Sequence, residues 1–172
     1  FNIPVSVNVS RVDIQNSGMC ETLINLVKKY DIPPEYLRLE ITESAYMNEP
    51  HELAAAVAEL RAAGFIIEMD DFGSGYSSLN ELKDLDIDVL KLDMKLVSEI
   101  GDGNEKNDNI LRNVVHMANA LNMSVIAEGV ETEVQAGYLK SINCNYMQGY
   151  YFSKPIKAED IEKLFEESKN SN

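Results

Sequence analysis

Basic side chains are scarce in this 172-residue chain, where 15 Lys and Arg stand against 29 Asp and Glu for a formal charge of −14. So acidic a surface is unsuited to neutralising a nucleic-acid backbone, and DNA is not an expected partner. A phosphate-bearing ligand would need cations to help it bind. Cysteine is scarce too: Cys20 and Cys144 lie far apart with no CxxC pair, so neither a disulfide framework nor a structural zinc site is implied, and the pattern suits a reducing cytosol. No apolar run reaches the roughly 18 residues that span a bilayer, and no basic-then-apolar leader opens the chain. G-x-G-x-x-G after the first strand and G-x-x-x-x-G-K-[ST] are both missing, so the usual nucleotide-binding signs of an open α/β sheet are absent. The chain starts at Phe1 without a methionine and enters a strand-like stretch almost at once. A cytoplasmic domain excised from something longer is therefore expected, its parent either soluble or membrane-anchored.

What is present is a globular composition, 45% hydrophobic and 26% charged, enough to bury a core. No linker or low-complexity block divides it, so one domain is expected over residues 1–168 with a disordered tail at 169–172. Strand patterns fall at Pro4–Val9, Leu37–Thr42, Phe65–Asp70, Val89–Asp93, Ser124–Glu128 and Tyr146–Gln148, each closely followed by polar or Gly-rich residues. Helical patterns lie between them at Met19–Tyr30, Pro50–Ala63, Ser78–Leu85, Lys106–Leu121, Thr132–Ile142 and Ala158–Glu167. Asn48 or Glu49 precedes the proline of the second helix, and Gly64 sits where that helix should stop. Such βα alternation means a parallel sheet covered by helices. From residue 6 to residue 147 is 141 residues over five repeats, about 28 per unit, close to the ~31 of an eightfold barrel. The expected fold is α/β, a partial TIM-like (β/α) barrel of about six units, two short of closure.

Nearly every strand pattern ends on a residue suited to metal ligation or proton transfer: Asn8, Glu40, the pair Asp70 and Asp71, Lys91 with Asp93, Glu128, and Gln148. A parallel barrel opens all its strand C-termini onto one face, so these residues converge there. One strand-end carboxylate is usually a solvated loop entry, but six such positions in register suggest a site. Crowded carboxylates repel unless a cation neutralises them. Oxygen ligands without thiolate or imidazole favour a hard divalent ion such as Mg²⁺ or Mn²⁺. Where the strand breaks into a loop, Asp70 and Asp71 can both turn to the same bowl, and one could bridge two ions that clamp a phosphoryl displacement. His51 and His116 lie on helical patterns away from strand ends, so surface or packing roles are expected. After the acidic pair, Gly73, Ser74 and Gly75 form a glycine-hydroxyl loop that permits close ligand approach, while Ser77 and Ser78 suit either a ligand or a helix cap. Asp84–Asp88 is not a calcium loop, because its sixth position is Val89 and its twelfth Lys95.

The segments VNVS from Val7, LEITES from Leu39, DDFGSGYSSL from Asp70, LKLD from Leu90, AEGVET from Ala127 and QGYYFSKP from Gln148 together resemble the EAL-domain family of cyclic-di-GMP phosphodiesterases. The likeness runs over essentially the whole chain. It implies a slightly irregular TIM-like barrel, part of bacterial second-messenger signalling, that hydrolyses cyclic di-GMP to the linear dinucleotide pGpG with two Mg²⁺ or Mn²⁺ ions. By motif position, Asn8, Glu40 and Asp70 would hold one ion, and Asp70, Asp71 and Glu128 the second. Lys91 would orient the attacking water, Asp93 would fix Lys91, and Gln148 would contact water or substrate. Glu43 would steady the loop at Gly73, Ser74 and Gly75, which in this family also takes part in dimerisation. The resemblance further implies a homodimer and an upstream sensory or GGDEF domain.

The departures are specific. The Glu-Ala-Leu motif and its nearby arginine are not in this chain, Ser74 stands where threonine is common, Asn145 where aspartate is common, and Met94 where arginine is frequent. A hydrolase is the leading reading, because the acidic pair, the lysine and the late glutamate are all retained. A degenerate, non-catalytic cyclic-di-GMP receptor or protein-interaction module is the alternative, and an unrelated metal-dependent barrel hydrolase a third. The 172-residue chain by itself is expected to be weakly active or inactive.

Overall fold

The computed structural model describes residues 3–16, 18–48, 50–74, 86–103 and 105–163. Short runs rich in Val, Ile and Leu form six strands: β1 (Val5–Asn8), β2 (Leu37–Thr42), β3 (Ile67–Phe72), β4 (Val89–Leu92), β5 (Ser124–Ala127) and β6 (Tyr146–Met147). All neighbours pair in parallel, in the order β1-β2-β3-β4-β5-β6. A doubly wound sheet reverses its strand order at a switch point. Unbroken sequential order with right-handed crossovers instead keeps the helices on one side and curls the sheet. The result is six strands of a TIM-like barrel, as expected from the repeat length.

Period-two alternation separates the two faces of this sheet. Leu39, Ile41, Ile67, Met69, Leu90, Leu92, Val125 and Ala127 enter the core. Their neighbours Glu40, Glu68, Asp70 and Lys91 are left to the concave face. The α-helices include α1 (Arg11–Ile14), α2 (Met19–Lys29), α3 (Glu43–Asn48), α4 (Pro50–Ala62), α5 (Met94–Ser98), α6 (Glu105–Ala120) and α7 (Glu133–Ser141), and residues 158–163 are also helical. In α4 the buried residues Leu53, Val57 and Leu60, and in α6 Leu111, Val115 and Ala118, recur at the i, i+4, i+7 spacing of one helix face. Burying each large aliphatic side chain contributes about 1.5–3 kcal/mol. No described helix is long and apolar enough to cross a membrane.

Gly64 ends α4 as the sequence suggested. With φ +96°, it donates to Arg61 O while Phe65 N reaches Leu60 O, the paired bonds of a Schellman turn. Other boundaries moved. Asn48 is the last residue of α3, a helix that starts directly after β2, where Thr42 Oγ1 accepts from Ala45 N. Strand β3 runs two residues later than its pattern, through a register shift between Met69 and Phe72 against β4. The short helices α1, α3 and α5 and a 3₁₀ turn at Pro34–Tyr36 carry too few residues for a readable period. The expected helix Ser78–Leu85, the end of the C-terminal helix and the tail at 169–172 fall outside the described residues.

Candidate metal and phosphodiester site

The rim of the concave face is built by the strand ends. Asn8 is the last residue of β1 and pairs in register with Glu40 of β2. Asp70 and Asp71 lie in β3 where the register slips. Asp71 adopts φ +58°, a left-handed conformation uncommon for any residue but glycine and the kind of strain that concentrates at functional sites. The kink breaks the alternation, so consecutive carboxylates serve one cavity. Glu128 follows β5 directly. Oxygens of Asp70, Asp71 and Glu128 lie within 4.8 Å of one another.

Lys91, only 5% exposed, ties this cluster together. Its Nζ lies 2.7 Å from Glu40 Oε1, 2.8 Å from Glu128 Oε1 and 3.0 Å from Asp70 Oδ1. Burial alone would lower its pKa, but the close carboxylates of Glu128, Glu40 and Asp70 outweigh this and hold it well above the ordinary lysine value. The ammonium stays charged. The carboxylates respond in the opposite sense to an ordinary ion pair. Burial, with repulsion from Asp70 and Glu40, raises Glu128 despite Lys91; burial, with repulsion from Asp70 and Asp93, raises Asp71. Asp70 Oδ1 is buried and, although close to Nζ, has no aligned hydrogen-bond donor. One lysine therefore undercompensates the group. A hard divalent cation suits such a donor set, with all-oxygen ligands, repulsion to relieve and an orphaned acceptor to fill.

The remaining residues expected at the site fall around it. Gln148 lines a cavity of about 330 Å³ with Asp71, Asp93, Met94, Glu128 and Tyr150. Its backbone links the strand ends, donating to Ala127 O and accepting from Val130 N. Glu43, buried to 3% exposure, accepts from Gly73 N at 2.9 Å through Oε2, which ties it to the turn after the acidic pair. Ser74 N bonds Asp71 O and closes the turn. Gly75, Ser77 and Ser78 lie outside the described residues. Asp93 differs from expectation: it caps α5 by accepting from Lys95 N at 2.7 Å, and Lys91 is instead fixed by Glu40, Asp70 and Glu128. Asn145 lines a separate groove against α7. His116 is exposed on α6, the side chain of His51 is not among those described, and both cysteines are free and buried.

One group went unread in the sequence. Beneath the rim, Glu68 is 1% exposed and accepts from Ser6 Oγ at 2.9 Å and Arg38 Nη1 at 3.1 Å. Ser6, Arg38 and Glu68 each precede a rim residue, Asn8, Glu40 and Asp70, by two positions. That offset was the available signal.

The chain is 34% identical over 157 residues to the bifunctional diguanylate cyclase/cyclic di-GMP phosphodiesterase MucR of Pseudomonas aeruginosa, covering 91% of this chain and 23% of that protein. Among solved structures, the EAL domain of Mycobacterium smegmatis DcpA superposes with a TM-score of 0.88 at 36% identity, over 94% of this chain and 72% of that one. Klebsiella pneumoniae BlrP1, solved as a manganese and cyclic-di-GMP complex, gives 0.81 at 28% identity over 88% of this chain and 39% of that one. The chain spans about 20–30% of the length of the curated relatives it matches. The family model for the EAL domain matches residues 1–155, and the chain belongs to the EAL-domain family.

Proposed function

We propose that this domain belongs to a metal-dependent phosphodiesterase that hydrolyses one ester of cyclic di-GMP to give pGpG. The observation that carries the reading is the convergence of Asp70, Asp71 and Glu128 within 4.8 Å, beside a charged lysine that also pairs with Glu40. Asn8, Glu40 and Asp70 would hold one Mg²⁺ or Mn²⁺ ion, and Asp70, Asp71 and Glu128 a second. Such ions supply Lewis-acid polarisation of the phosphoryl group and neutralise its developing charge.

The chain's own groups do the rest. Lys91 keeps its proton at Nζ and presents fixed positive charge to the phosphoryl oxygens in a site already half shielded from water. Its contacts with β2, β3 and the residue after β5 hold it without reorganisation. The Glu43 to Gly73 bond anchors the loop after the acidic pair, which keeps Asp71 in its left-handed conformation. The cavity beside Gln148 and Tyr150 adjoins the carboxylates and is open to a substrate group extending from the phosphodiester. In a longer parent, a sensory or GGDEF domain would supply the input, and the loop around Gly73 would take part in a homodimer.

The test is hydrolysis of cyclic di-GMP with Mn²⁺, with pGpG separated by chromatography. Formation of pGpG that stops on chelation and in Asp70→Asn supports the reading. Binding of cyclic di-GMP with no hydrolysis, even in an N-terminally extended protein, would instead make the domain a receptor.

A further inference from the structure

The concave face of a TIM-like barrel is normally filled below the active site by bulky aliphatic side chains. Here a polar layer stands there instead. Glu68 is as deeply buried as the core leucines, at 1% exposure, and is held by Ser6 Oγ and Arg38 Nη1. Its partner Arg38 is 32% exposed at the side chain, so the desolvation falls on the carboxylate, a cost the attraction only partly repays, and stability alone gives it little reason to be there. Its placement supplies one. Glu68 pairs in register with Glu40 on the neighbouring strand and sits two residues before Asp70 on the same face. Arg38 likewise sits two residues before Glu40. Each charge of the pair therefore lies one pleat, about 7 Å, below a proposed metal ligand. Arg38 Nε is buried without a hydrogen-bond partner among the described residues, so the guanidinium is held by the Glu68 contact at one edge only.

We infer that Glu68 and Arg38 form a charge-compensated floor under the rim, each charge biasing its cation affinity and the two cancelling, with Ser6 fixing the glutamate. Both are positioning residues; neither touches substrate. The inference rests on the metal-site reading. Glu68 adds attraction for a divalent ion through a low-dielectric interior, and Arg38 subtracts it. Together they leave the rim carboxylates as the net charge that a cation meets.

Such a floor gives a signature that a purely structural pair would not. Mn²⁺ binding, read by electron paramagnetic resonance on the 172-residue chain without nucleotide, is expected to weaken on the order of tenfold in Glu68→Gln and tighten by a similar factor in Arg38→Met, given unit charges acting on a divalent ion at this separation. Arg38→Lys, which keeps the charge, is expected to stay within about threefold of the unmodified chain. The double variant, which removes both charges and leaves no buried ion unpaired, is expected to return near it and covers the case in which Arg38→Met alone fails to fold. Shifts of the same sign in Glu68→Gln and Arg38→Met, no shift in Glu68→Gln, or a double variant far from the unmodified affinity would overturn the inference and leave the phosphodiesterase reading standing. Failure of the unmodified chain to bind Mn²⁺ at all would overturn both.

Discussion

Lys91 shows how a single residue organises this site. Its ammonium pairs with carboxylates from β2, β3 and the end of β5, so removing it leaves buried negative charges facing one another. Lys91→Met is expected to destabilise the metal-free protein by about 3 kcal/mol, a typical cost of breaking a buried pair, measured by urea unfolding. Mn²⁺ should recover much of that loss while turnover stays low; unchanged stability without metal would contradict the assigned pairing. The raised pKa values of Glu128 and Asp71 fix the sign of a pH effect. The folded chain retains protons on these groups that the unfolded chain releases, so their contribution falls as pH rises through the ordinary carboxylate range. A bound cation reverses this by favouring the ionised forms. The rise in thermal midpoint on adding Mn²⁺ should therefore be large near neutral pH and fade toward pH 4, and a pH-independent rise would contradict it. Sequence made the residue types legible at this scale, since Asn8, Glu40, Asp70, Asp71, Lys91 and Glu128 stand at strand ends. It did not reveal the hub role of Lys91, nor that Asp93 caps a helix, because both depend on distances between strands remote in the chain.

At the scale of elements, the turns that end the strands do as much as the strands. Gly149 follows β6, and a Cβ there would overlap the backbone N and O of Val130; its neighbour Gln148 pairs with Val130 from the other side. Gly149→Ala is expected to cost about 2 kcal/mol or more through this overpacking and to shift the cavity wall beside Glu128. A denaturation midpoint equal to that of the unmodified chain would show that the turn adapts freely. The AEGVET segment leads into α7 through a capping box, in which Thr132 accepts from Gln135 N and Gln135 Oε1 accepts from Thr132 N and Glu131 N. Gln135 Nε2 also reaches Val97 O in α5. Strands and long helices were readable because a period of two or 3.6 residues persists over several repeats. The bulge in β3, the left-handed Asp71 and the polar layer at Ser6, Arg38 and Glu68 were not. Each departs from period or from the usual apolar filling for a reason that exists only once strands are side by side.

At the scale of the whole molecule, six sequential parallel strands leave β1 and β6 as sheet edges among the described residues. Val5 in β1 and Tyr146 in β6 are 59% and 63% exposed, and open edges of this kind invite unwanted pairing. A version extended N-terminally by two βα units is expected to melt higher, aggregate less and hydrolyse cyclic di-GMP faster than the 172-residue chain. Equal turnover by both would show that the further units are dispensable. The strand-end oxygens gathered at one rim are expected to form a seat for divalent cations. The most direct measurement is an anomalous-difference map from crystals grown with Mn²⁺, collected near the manganese edge. Density is predicted among Asp70, Asp71 and Glu128, with a second peak toward Glu40 and Asn8; manganese found only away from that rim, or not bound at all, would contradict it.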